Sequence, residues 1–473
     1  MDKKPDKKTD KKKLTLERKS SFDSMDAPWH KASFDFAERY RNFLDLNRTE
    51  RECVAAFAKM AVEHDFVEYI PDETKLGAPG YIFIGKGKAI ALYRPGKKPA
   101  TEGVNLVIAH IDSPRLDLKV NPLLENADFA MLKTHYYGGI RKYQWLSRPL
   151  AIHGVVILAD GTELNLRIGS DPGDPVFIIS DLEPHLSHKA QNGKKVNEFY
   201  PGEKLNLIAG IIPDEDEDAK ERVKLAVLAY LNEKYGMTEE DFVSAELEVV
   251  PAEKSRDIGF DRAILGGYGH DDRVCSFMGV RALLETEAPE KGALAIAVDK
   301  EEIGSAGASG ADSVFVMNVL AEILALEGNA ADITVRRAAE RTNVISADVA
   351  AGLHPDWQEV QEKNNAAKLG HGITLTKYTG ARGKGGANDA NAEFMFRLRK
   401  LWNEAGIPWQ TGMLGKVDEG GGGTVAKFLA YHGMNVVDSG PPLLGMHAPM
   451  ELVAKSDIYA GYLAYKAVFE KLL

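Results

Sequence analysis

Cysteine is nearly absent: only Cys53 and Cys275 occur in 473 residues, far apart along the chain. A disulfide framework is thereby excluded, and a reducing compartment is expected. No apolar run approaches the ~20 residues that a membrane-spanning helix needs. The opening stretch MDKKPDKKTDKKKLTLERKS lacks the apolar segment of a secretory signal. The expected location is the cytoplasm, with no membrane partner. Anions outnumber cations beyond that stretch. Residues 1–20 hold nine basic and four acidic side chains, while the whole chain carries a formal charge of −11. The remainder is strongly acidic and argues against nucleic acid as a partner, because phosphate contacts need clustered cations. Residues 1–28 read as a disordered, solubilising basic tail.

What is present suits a globular chain: 44% hydrophobic and 27% charged residues, in a length that buries a sizeable core without staples. Residues 32–47 and 49–64 read as amphipathic helices, the second with Thr49 as its cap. YIFIGKGKAIALY (81–93) reads as a hairpin and residues 105–109 as a short buried strand. The texture changes between about Arg115 and Val250. That stretch holds a hairpin around Asp160-Gly161, a charged run from Asp214 that opens a helix, and a strand at 245–251. Past Ile258, strands at 293–298, 343–347 and 435–438 alternate with helices starting at Asp271 or Asp272, at 387–405 and at 457–472. Alternation of this kind predicts an α/β sandwich around a largely parallel sheet.

In open α/β sheets the active site lies beyond the carboxyl ends of the strands. His110 and Asp112 follow the strand 105–109; Asp299, Glu301 and Glu302 follow 293–298; Asp348 follows 343–347; Asp438 and then His447 follow the last. The glycine-rich loop 266–269 leads into His270-Asp271-Asp272. Nitrogen and oxygen donors without thiolate, and with enough carboxylate for two divalent charges, form a set that zinc uses. Taken singly, each residue has a plainer reading. Asp271 or Asp272 is a natural helix N-cap, Glu301-Glu302 a solvated turn, Asp348 a turn residue and His447 a structural histidine. The spacing of His110 and Asp112 places both on one face of an extended segment, where the carboxylate can orient the imidazole.

Five ordered motifs, AHIDSPRLDLK (109–119), DDRVCSF (271–277), DKEEIGS (299–305), SADVAAGLHP (346–355) and GMHAPMEL (445–452), resemble the aspartyl aminopeptidase and vacuolar aminopeptidase I family of dinuclear zinc metallopeptidases. The resemblance runs from about Trp29 to the C-terminus. It implies that His110 and Asp348 hold one ion, that Glu302 and His447 hold the other, and that Asp271 bridges them. Glu301 becomes the general base and Asp112 the support of His110. The implied cofactor is two divalent ions per subunit, zinc first, with cobalt or manganese as alternatives. The implied fold is a three-layer α/β catalytic domain (29–115 and 256–473) around a mostly parallel sheet, interrupted by a β-rich dimerisation domain (116–255). The implied assembly is a tetrahedral homododecamer acting on peptides. Two looser matches add substrate contacts. His185 resembles a histidine lent to a neighbouring subunit's site, and Lys384 lies where the family carries basic residues near substrate. The local sequence GARGKGGANDANAEF departs from the aspartyl-specific form, so the preferred N-terminal residue is open. Two other functions compete with peptide hydrolysis: a two-metal phosphoesterase, which calls for cations around the site, and a catalytically silent scaffold.

Overall fold

The computed structural model describes residues 14–16 and 18–473. Its centre is a nine-stranded sheet, whose strands are numbered here along the chain: β1 Phe66–Glu68, β2 Gly80–Gly85, β3 Ala89–Arg94, β4 Asn105–His110, β5 Ala293–Val298, β6 Asn343–Ser346, β7 Ile373–Thr376, β8 Trp409–Thr411 and β9 Asn435–Gly440. The spatial order is β1-β2-β3-β5-β4-β6-β9-β7-β8. The four middle strands β5, β4, β6 and β9 run parallel, whereas β3 and β7 flank them antiparallel, so the sheet is mixed. Both faces of the middle strands are buried, which is why they read as near-continuous apolar runs. Val107 and Ala109 of β4 join one core with Phe36, Phe277, Phe394 and Tyr465. Leu106 and Ile108 join another with Val316, Leu320, Val335 and Leu429.

Between β4 and β5 the chain leaves this sheet and builds a second one. Six strands drawn from Arg115 to Pro251 pair antiparallel in the order Glu163–Ile168, Leu150–Ile157, Ala245–Pro251, Arg115–Asn126, Phe129–Tyr137, Asn206–Gly210. They enclose a core of their own around Trp145, Leu207 and Val249. A third sheet of five short strands, Arg256–Ile258, Ile264–Gly267, Glu451–Ala454, Pro442–Leu444 and Ala350–Ala351, lies beyond the ends of the central strands.

The helix expected from Asp214 begins at Arg222, because the carboxylates before it bind backbone N–H groups locally instead of continuing a helix. The helix expected over 387–405 spans Ala392–Glu404, started by the Asn391 side chain, which accepts from Phe394 N. The expectation for residues 1–13 and 17 lies outside the described residues. From Arg18 onward the basic segment is held to the body: Arg18 donates to Asn364 O, Ser21 N donates to Gly370 O, and a helix begins at Ala27. The cap at Thr49 is a full capping box, with Thr49 Oγ1 accepting from Glu52 N and the Glu52 carboxylate accepting from Thr49 N. Thr49→Ala is expected to lower unfolding stability by about 1 kcal/mol, read from denaturant titration.

Candidate active site

The parallel centre of the sheet brings β4, β5 and β6 to finish at one edge, with Val298 of β5 in register with His110 of β4. His110 is the last residue of β4, Glu301 and Glu302 form a single 3₁₀ turn after β5, and Asp348 follows β6. The five-stranded sheet supplies the rest. Asp271 follows Ile264–Gly267, and His447 sits in the turn between Pro442–Leu444 and Glu451–Ala454.

Asp271 and Asp272 do not cap a helix, contrary to the simplest expectation. The cap position is Gly269, no side chain caps this helix start by a hydrogen bond, and the backbone kinks at both aspartates. Asp271 instead stands between two imidazoles. His110 Nε2 is 3.2 Å from Asp271 Oδ1, and His447 Nε2 is 3.3 Å from Asp271 Oδ2. Glu302 Oε1 is 3.4 Å from His447 Nε2, and Glu301 Oε2 is 4.0 Å from His110 Nε2. Two sets of three ligand atoms, one from His110, Asp271 and Glu302 and one from His110, Asp272 and Asp348, each converge within 4.8 Å.

Outer groups fix these side chains. His110 Nδ1 lies 2.9 Å from the Asp112 carbonyl oxygen and 3.2 Å from its Oδ1, which leaves Nε2 facing Asp271. Asp112 also accepts from the backbone N–H of Glu301 and of Glu302, at 3.1 Å each, so one carboxylate holds the histidine and both glutamates in place. His447 Nδ1 meets Gly139 O at 3.0 Å; a carbonyl only accepts, so Nδ1 carries the hydrogen and Nε2 is the free donor atom. Glu451 accepts from Asp271 N at 3.0 Å and from His447 N at 2.7 Å. It helps to hold His447 at φ 66, a backbone region uncommon outside glycine.

The electrostatics follow from crowding. Burial, reinforced by neighbouring carboxylates, raises the pKa of Glu301 and pushes those of Glu302, Asp272 and Asp348 well above the usual carboxylate range. Glu451 is pushed up to about 8 by burial and by Asp271. Burial opposes charge on the two histidines, but the surrounding carboxylates outweigh it and raise His447 to about 10 and His110 well above its ordinary value. Burial also opposes ionisation of Asp271, and the two imidazoles more than offset it. Both carboxylate oxygens of Asp272 and Oε1 of Glu302 are buried without a hydrogen-bond partner among the described residues. Convergent, unsatisfied carboxylates with two imidazoles are a donor set that fits divalent cations, whose charge reverses this repulsion.

Asp271, Glu301, Glu302, Asp348 and His447 open onto a cavity of about 360 Å³, lined further by Val349, Thr376, Thr379, Met413, Leu414, Asp438 and Met446. Lys384 stands outside it. Its ammonium pairs with Asp389 at 2.9 Å, lies 4.0 Å from the Tyr378 ring centroid, and lines an adjoining cavity with Arg382 and Lys416. His185 is exposed on the helix Pro184–Ala190 and is not among the residues lining either cavity of its own chain. Sequence reasoning did not assign Glu451, although it ends the motif that carries His447 four residues earlier. Asp272 has no role in the ligand set that the resemblance implies, yet it converges with His110 and Asp348.

Comparison with known proteins gives the family. The sequence profile of the aminopeptidase I zinc metalloprotease (M18) family matches residues 43–469. A probable M18 family aminopeptidase 1 of Clostridium acetobutylicum is 46% identical over 458 residues, covering 96% of this chain and 98% of the relative. The crystal structure of an M18 family aminopeptidase from Thermotoga maritima superposes with a TM-score of 0.92 at 48% identity, covering 97% of this chain and 100% of that one. A Saccharomyces cerevisiae mApe1 dodecamer shares the fold with a TM-score of 0.73 at 21% identity, covering 92% and 96%. The chain belongs to the aminopeptidase I zinc metalloprotease (M18) family and is a metalloaminopeptidase of that family.

Proposed function

We propose that the chain removes the N-terminal residue from peptides with a pair of divalent ions. The observation that carries this reading is the Asp271 carboxylate, each oxygen of which faces the Nε2 of a different histidine. Under it, His110 and Asp348 hold one ion, Glu302 and His447 the other, and Asp271 is shared. Zinc is the family metal, and cobalt and manganese accept the same donors. When bound, such ions would polarise the scissile carbonyl and acidify the attacking water. Glu301 takes the water's proton and returns it to the departing amine. Asp112 keeps the His110 imidazole oriented and ties the Glu301–Glu302 turn to it. A cavity of about 360 Å³ is at the low end for ligand clefts and suits one terminal residue better than a through-running chain.

No lysine or arginine lines that cavity among the described residues, which disfavours the phosphoesterase alternative. Chelator treatment is expected to abolish hydrolysis of aminoacyl-p-nitroanilides and added zinc to restore it, with no turnover of p-nitrophenyl phosphate. Metal analysis giving fewer than two ions per chain at saturation refutes the two-metal reading. Acidic, basic and aliphatic aminoacyl groups in the same panel assign the preferred residue.

The wider organisation follows the same reading. Residues 29–115 and 256–473 form a three-layer catalytic domain, and 116–255 a dimerisation domain. The two separate buried cores on the faces of the central sheet and the third core of the insertion support this division. Dimers assemble into a tetrahedral dodecamer, for which the dodecameric yeast relative is the support. In it His185 reaches a neighbouring subunit's substrate, and Lys384 contacts substrate in its own. The two buried free cysteines suit the cytoplasm, and among the described residues no helix is long and apolar enough to cross a membrane.

A further inference from the structure

The residues at the end of strand Phe129–Tyr137 belong to the inserted sheet, yet they lie against the candidate metal site. Tyr137 Oη donates to Asp112 Oδ2 at 2.9 Å. The next residue, Gly138, has φ 70, and a Cβ on it would come within 3.2 Å of Glu302 Cβ. Gly139 O meets His447 Nδ1 at 3.0 Å, and a Cβ on Gly139 would stand 3.3 Å from that same nitrogen. Three consecutive residues thus touch the support of one histidine, a carboxylate ligand, and the second histidine itself. The glycines are what let the backbone come this near.

The Tyr137 ring is not loose. Its register partner across the strand pair is Arg115, whose guanidinium carbon lies 3.9 Å from the ring centroid. Arg115 is buried and reaches Glu50 at 2.7 Å, Asp117 at 2.8 Å and Glu248 at 3.2 Å. Glu50 is on the helix Glu50–Val62 before β1, while Asp117 and Glu248 are on the inserted sheet. The ring is therefore clamped where the inserted sheet meets the rest of the chain. Nothing in the hydrolytic chemistry needs a tyrosine here, and no apolar residue could make the Asp112 contact.

We propose that Tyr137-Gly138-Gly139 is a positioning strap through which the inserted sheet orients both metal-binding histidines: His110 by way of Asp112, and His447 through the Gly139 carbonyl. The proposal rests on the two-metal reading above. Tyr137 is a positioning residue and touches no reacting atom. The insertion then does more than join subunits, since the geometry of the metal ligands depends on it. Removing the Tyr137 hydroxyl takes one of two donors from Asp112 Oδ2, which keeps only the Glu302 N–H, and outer contacts of this kind are worth ~10–100-fold in metal affinity.

The test uses the full chain and its Tyr137→Phe, Gly139→Ala and Tyr136→Phe forms. Zinc affinity is read by competition with a chromophoric chelator, and melting is followed by circular dichroism after chelator treatment. Tyr137→Phe is expected to weaken one binding step ~10-fold, at the low end of that range. Gly139→Ala, whose methyl group crowds His447, weakens the other step. Tyr136→Phe, on the neighbouring half-exposed residue, leaves both unchanged. Saturating zinc restores the kcat of Tyr137→Phe, and melting of the stripped proteins stays the same. Wild-type affinity in both Tyr137→Phe and Gly139→Ala overturns the strap and leaves the two-metal reading standing. Affinity losses that only follow lowered melting temperatures also overturn it, by assigning the segment a purely structural role. Fewer than two ions bound by the wild-type chain overturns both readings together.

Discussion

Glu301→Gln is expected to lower turnover of an aminoacyl-p-nitroanilide by ~10²–10⁴-fold, the usual contribution of a positioned general base, while metal analysis still finds two ions per chain. The adjacent glutamates differ in surroundings, and the proposed division of roles follows that difference. Both line the pocket, but the Glu302 side chain is 5% exposed with Oε1 towards His447, whereas that of Glu301 is 17% exposed. Their N–H groups both bind Asp112, so the turn is fixed at its backbone and only the side chains diverge. Glutamine preserves the shape and those backbone contacts and removes only the proton acceptor. Metal loss in Glu301→Gln equal to that in His447→Ala would sink this division of labour.

Asp271→Asn is expected to fail earlier, at metal binding. Its two oxygens face His110 and His447, one each, and the amide removes one negative charge from the centre of the set. The affinity loss should exceed the ~10–100-fold typical of changes to outer contacts, and the bound metal should fall below two ions per chain. Calorimetric zinc titration separates this from Glu301→Gln, which keeps the metal and loses the rate. Retention of two tightly bound ions by Asp271→Asn would exclude it as the shared ligand.

The central strands and the residues at their ends were legible because physics marks them in the sequence. Parallel strands buried on both faces read as uninterrupted apolar runs, and a charged residue after such a run stands out. His110, Glu301, Glu302 and Asp348 fall in that class. The five-stranded sheet was not legible, since its strands are two to four residues long and come from separate regions of the chain, too short for any periodicity. It positions Asp271, His447 and Glu451; position along the chain marks the first two as candidate donors, their roles rest on motif resemblance, and Glu451 carries no sequence signal of its own. Tyr137 was hidden for another reason. It ends a strand of the inserted sheet, and only the folded chain brings its hydroxyl to Asp112, 25 residues away. Asp271 and Asp272 mislead locally: an aspartate at a helix start is normally a cap, and here neither side chain makes a capping hydrogen bond.

The position of β4 in the sheet also sets a timetable for synthesis. Both of its neighbours, β5 and β6, lie after the insertion, so β4 emerges without either pairing partner. Roughly 180 residues separate His110 from Ala293, and at ~5–20 residues per second a ribosome takes roughly ten to forty seconds to supply them. The inserted sheet, complete by Pro251, can close its own core during that interval. The strand that carries the first histidine meanwhile waits with both edges and both apolar faces open, the kind of exposure that recruits chaperones or invites aggregation. A chain terminated before β5 should therefore be insoluble even though it contains a whole folded insertion.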